Sequence, residues 1–138
     1  MALNLTAVEL SRHRRLLRLA GVACLLLIVF LSLIPGNWQV RTGAPGPLEH
    51  FVAYLITGLV IQVAFRPRPL ALVAALAVLG GSMEILQHFS PGRDPQIIGF
   101  LASALGGAAG TYIAFAVCRR WIGISAAAPN QAKPVARS

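Results

Sequence analysis

Five side chains in this 138-residue sequence, His50, Tyr54, Glu84, Gln87 and Arg93, have the types and spacing to act on a ligand together. His50 and Tyr54 stand four apart, so a helix presents both on one face. Glu84, Gln87 and His88 follow at spacings of three and four, again one helical face, and Arg93 comes five residues later. A positioned carboxylate or imidazole can move a proton to or from a reacting group. A guanidinium grips a phosphate or carboxylate through paired hydrogen bonds. These residue types describe a small polar pocket for an anion, with His50, Tyr54, Glu84, Gln87 and Arg93 as the ligand-binding candidates. In the catalytic alternative, Glu84 or His50 would serve as general base; no catalytic residue is singled out beyond that.

The elements that must position these groups are membrane helices. The chain is 57% hydrophobic and 12% charged, too apolar for a water-soluble domain of this size. Crossing a hydrocarbon core of about 30 Å takes roughly 20 helical residues. Four apolar runs, at 16–34, 48–65, 70–89 and 97–117, come close to that length, and glycine and proline punctuate the gaps between them. A closed barrel would need alternating polar and apolar residues, which the runs lack. The expected architecture is an all-α membrane protein, a four-helix transmembrane bundle. A basic segment at 1–15 precedes a membrane domain at 16–117, and a basic tail follows at 118–138. Thr6-Ala7-Val8-Glu9 has capping-box form and predicts a helix that runs into the first span. From Ser125 the tail is rich in Ala and Pro, and disorder is expected there.

The net charge of +8 is spread in short flanks rather than on one face, which argues against a nucleic-acid module. It fixes orientation instead. Ten of the 12 Lys and Arg residues fall in the two terminal flanks and the turn at 66–68; only Arg41 and Arg93 lie in the other two connections. The excess of basic residues marks the cytoplasmic side, so both termini are expected in the cytoplasm. The polar candidates would then lie at the outward end of a plasma-membrane protein. Cys24 and Cys118 stand in no CxxC or metal-ligand spacing, and neither a metal nor a cofactor is expected.

Each candidate also has a plainer role. Glu49, in a first turn behind Pro47, suits the positive end of a helix dipole. His50 and Tyr54 could anchor a helix at the membrane interface. Glu84 is harder to explain so, because it sits five residues before Phe89, about 7 to 8 Å along the axis. A charge at the centre of a span costs roughly 2.5 to 3.5 kcal/mol, so Glu84 should face the interior or a wet cavity and have a partner. Arg93 is the expected one. Ser90-Pro91-Gly92-Arg93 reads as a type II turn, with Asp94 as N-cap and Pro95 as first residue of the last helix. In that helix Ala102, Gly106 and Gly110 form a small-residue stripe suited to helix–helix association.

Glu49-His50-Phe51-Val52-Ala53-Tyr54 and Glu84-Ile85-Leu86-Gln87-His88-Phe89-Ser90-Pro91-Gly92-Arg93 together resemble the VanZ-like family of small bacterial membrane proteins. The resemblance covers about residues 20–117 and is most specific at 84–93. That family opens one helix on a Lys-x-x-His-Phe-x-x-Tyr-like pattern and later carries Glu-x-x-Gln-x-Phe and Gly-Arg. An Asp and an Asn then begin its last helix. Here Pro47 stands in place of the lysine, Gly99 of the aspartate and Ser103 of the asparagine. The resemblance implies a cell-envelope role connected with resistance to glycopeptide antibiotics of the teicoplanin type. The expectation is therefore a binder of an anionic lipid headgroup or lipid-linked envelope precursor. The alternatives are a membrane-embedded hydrolase or transferase on such a lipid, and a scaffold subunit packing through its fourth helix. Because position 99 falls in the first turn of the last helix, an aspartate restored there is expected to be tolerated.

Overall fold

The computed structural model of the chain describes residues 7–35, 38, 43–90, 92 and 96–126. Four helices make up nearly all of them: α1 (Ala7–Leu33), α2 (Gly46–Phe65), α3 (Pro69–Gln87) and α4 (Ile97–Ala126). Each is long and apolar enough to cross a membrane, and the described residues contain no strand. Each covers an expected span almost entirely, but two boundaries differ. The first helix is already formed at Ala7, well ahead of Leu16; the Thr6 of the expected capping box lies outside the described residues. The last continues to Ala126, so Ser125 is helical rather than part of a loose tail. The first proline after Val117 is Pro129, and nothing stronger than Gly123 interrupts the helix before it.

The turn between α2 and α3 is short because local chemistry stops one helix and starts the next. Arg66 adopts the left-handed conformation (φ 52°) and closes α2 with its N–H on the Gln62 carbonyl. Pro67 cannot continue the helix, and Pro69 opens α3 at a position where its missing N–H costs nothing. Gln62 adds a side-chain bond, its amide nitrogen donating to the Pro67 carbonyl at 3.3 Å.

Glycine contacts fix the directions of the helices. Gly21 of α1 faces Ile61 and Phe65, whereas Ile28 shares a core cluster with Tyr54, so α1 and α2 run antiparallel. Gly81 faces Phe100 and Gly107 faces Leu76, so α3 and α4 are antiparallel too. Gly106 meets Phe51 and Gly110 meets Leu55, which makes α2 and α4 parallel. One end of the bundle thus carries the basic side chains: the Arg18 guanidinium lies 5.8 Å from the Phe65 ring centre, near Arg66 and Arg68. The opposite end gathers the start of α2, the end of α3 and the start of α4.

Helices α2 and α4 make the most extensive interface. A Cβ at Gly106 would collide with the Phe51 carbonyl, and one at Gly110 with that of Leu55. A Cβ at Gly58 would stand 2.7 Å from the Gly107 oxygen. Only glycine permits backbones to come this close. Gly106 and Gly110 of the association stripe therefore pack within the bundle, against α2.

Burial is arranged for lipid rather than water. Leu19, Leu26, Phe30, Val78 and Leu105 point outward, each more than 60% exposed. The interior holds Thr57, Gln62, Gln87, Ser103 and Thr111 alongside a small apolar cluster that includes Ile61, Leu72, Leu76 and Met83. A soluble bundle would be coated in charge, with apolar side chains inside; apolar lipid removes any reason to hide leucine.

Candidate functional site

Glu84, the residue the sequence marks most strongly, stands at the end of the bundle where α4 begins. Glu84 lies on α3, and its Oε2 accepts the backbone N–H of Gln96 at 3.0 Å. Gln96 immediately precedes α4, and its own carbonyl accepts the N–H groups of Gly99 and Phe100. The carboxylate thus satisfies a donor at a helix start, where the N–H groups lack intrahelical partners and the dipole is positive. Glu84 caps α4 from a neighbouring helix.

Gly99 makes this contact feasible. It is buried, and a Cβ there would overlap Glu84 Oε1. Position 99 is buried rather than near water, so the reason for expecting an aspartate to be tolerated there does not hold, and the added side chain would meet the Glu84 carboxylate. Ser103, the other departure from the VanZ-like pattern, sits one turn on and donates from its hydroxyl to the Gly99 carbonyl at 3.0 Å.

Behind Glu84 the site continues into the bundle. Tyr54 is 2% exposed, and its hydroxyl has no hydrogen-bond partner of good geometry among the described residues; Glu84 and Ser103 are its electrostatic neighbours. Gly80 provides the space between α3 and this cluster, since a Cβ there would lie 3.0 Å from Ser103 Cβ and 3.6 Å from Tyr54 Oη. Gln87 is also buried, and its amide nitrogen has no hydrogen-bond partner among the described residues.

On its other side Glu84 lines a cleft of about 480 Å³ between α3 and α4. His88 and Gln96 complete the polar lining, and Gly81, Ile85, Phe89, Ile97 and Phe100 form the apolar walls. His88 is exposed, its ring edge-on to Phe89 at 5.7 Å. Ile85, Phe89 and Ile97 are exposed as well, so the cleft opens sideways from the bundle.

Of the five candidates, the structure brings Tyr54 and Glu84 together, with Glu84 in the cleft wall and Tyr54 buried behind it; Gln87 is buried one turn further along α3. His50 is half-buried in the opening of α2 and does not line the cleft. Arg93 and Asp94 lie outside the described residues, and with them the expected Glu84–Arg93 ion pair and the Asp94 cap. Gly92 of that turn is described, and its φ of 74° is what the third position of a type II turn requires. Sequence reasoning placed His88 on the face of Glu84 but left it out of the site. Gln96 and Phe100 carried no signal at all. No three His, Cys, Asp or Glu side chains come together as a metal site among the described residues.

No protein family, curated protein or solved structure matches this chain. The likeness to VanZ-like proteins accordingly rests on the residues quoted for it.

Proposed function

We propose that the chain is a bacterial plasma-membrane protein whose cleft holds the phosphate-bearing headgroup of an envelope lipid or lipid-linked precursor. Both termini lie in the cytoplasm on this reading, and the cleft faces outward. The observation that carries it is the sideways-opening cleft, apolar in its walls and polar only at Glu84, His88 and Gln96. Its volume falls within the usual range of small-molecule sites, about 300 to 1,000 Å³. A lipid chain can enter such a cleft directly from the bilayer while its headgroup meets the polar end. His88, with Arg93 nearby in sequence, supplies the side chains that suit a phosphate. By occupying such a lipid the protein would influence susceptibility to teicoplanin-type glycopeptides, in line with the family resemblance.

The test is retention of lipid. Protein purified in mild detergent should carry bound lipid detectable by native mass spectrometry. The Gly81→Leu variant, whose side chain grows toward Phe100 and into the cleft, should carry much less. Equal retention by both proteins would sink the assignment to this cleft. A second, catalytic reading draws on the carboxylate of Glu84 and the imidazole of His88 sharing one wall. It predicts a chemically altered lipid that disappears in His88→Gln, whereas the binding reading predicts an unaltered one.

A further inference from the structure

The cleft's charge pattern carries more than lipid binding in general. Glu84 contributes a carboxylate to a wall that is otherwise largely apolar, and among the described residues it makes no salt bridge. The hydrogen bond it accepts from the Gln96 N–H leaves lone pairs on both oxygens. A simple anionic headgroup would meet like charge there. A headgroup carrying a cation beside its phosphate would not.

Depth narrows the choice. The 19 residues of α3 span about 28 Å, close to the hydrocarbon thickness, and Glu84 lies three residues, about 4.5 Å, inside the helix end. That is just below the headgroup layer, where a group attached to a lipid phosphate can reach by folding back. Beside Glu84 the lining is apolar, from Gly81 to Phe100, so a cation there must be held by the carboxylate itself, which favours one that donates hydrogen bonds. A primary ammonium has three such donors and a trimethylated one has none.

We infer that the cleft selects a phospholipid with a primary ammonium headgroup, the ammonium donating to Glu84 and the phosphate lying toward His88. This inference rests on the reading of the cleft as a lipid site. The experiment reconstitutes the full chain in vesicles of equimolar phosphatidylethanolamine, phosphatidylcholine and phosphatidylglycerol, extracts it in mild detergent, and identifies retained lipid by native mass spectrometry. The expected result is enrichment of phosphatidylethanolamine by about tenfold over each of the others, the scale of one charge-assisted hydrogen bond. Glu84→Gln keeps an acceptor for the Gln96 N–H and should retain lipid while losing the preference. Gly81→Leu should lose both. Lipid retained by the wild type without preference, or with preference for phosphatidylglycerol, overturns the ammonium assignment and leaves the lipid cleft standing. Ethanolamine enrichment that persists in Gly81→Leu or in Glu84→Gln places the amine elsewhere and overturns it as well. No retained lipid in any protein removes both readings.

Discussion

Glu84 combines two tasks that are ordinarily separate: it closes the start of α4, and it puts a carboxylate in the wall of a largely apolar cleft. The first can be tested by stability. Glu84→Ala leaves the Gln96 N–H without its acceptor and should cost about 1 kcal/mol, as loss of a helix cap does. The readout is a lower melting temperature in detergent, with Glu84→Gln close to wild type; an Ala variant as stable as wild type would remove the capping role. The second residue-scale prediction concerns Gly99. An aspartate there must displace the Glu84 carboxylate and add a like charge, so Gly99→Asp should be nearly absent from membranes as folded protein. Wild-type abundance would contradict the Glu84–Gly99 contact. The sequence revealed that Glu84 must be partnered, because an isolated carboxylate inside a span has no other stable arrangement. It could not name the partner. A backbone N–H has no residue letter, and the contact joins positions twelve apart across a turn.

At the scale of elements, the α2–α4 interface should be the least forgiving part of the molecule. Gly106→Leu or Gly110→Leu drives a side chain into a carbonyl of the neighbouring backbone, which cannot move aside as a flexible side chain can. Size-exclusion chromatography of a fluorescent fusion should show loss of the monodisperse peak for both. Gly46→Ala, with nothing within 4 Å of the new Cβ, should leave the peak unchanged. Indistinguishable profiles for all three variants would mean that the close approach is not required. The small-residue stripe on α4 was legible as a packing face. That α2 rather than another protein lies against it was not, since the stripe records only how near something comes. Helix ends were legible where proline set them, at Pro47, Pro67 and Pro69. They were misjudged where hydropathy alone was the guide, at Ala126.

For the whole molecule, the basic residues at one end and Glu84 with its cleft at the other give a definite orientation to test. Reporter fusions within residues 1–15, in the turn at 66–68 and after Arg119 should all report the cytoplasm, as expected where Lys and Arg concentrate. A fusion in the 66–68 turn that reports the outside would invert the bundle and turn the cleft inward. The number of spans was readable because bilayer thickness dictates run length, a constraint that operates on sequence directly. Their arrangement was not, because every alternation of up and down helices satisfies the same hydropathy.

The parallel pairing of α2 with α4 also governs how the protein is made. Helices enter the membrane one after another as the chain is synthesised, and side-by-side assembly follows insertion. The partner of α2 is the last of the four to arrive, so the glycine face at Gly58 must wait in lipid through the insertion of α3 and the turn after it. Until residue 111 has entered, the nascent protein is a set of inserted but unassembled spans. A chain stopped short of that point would present membrane quality control with a permanently immature intermediate.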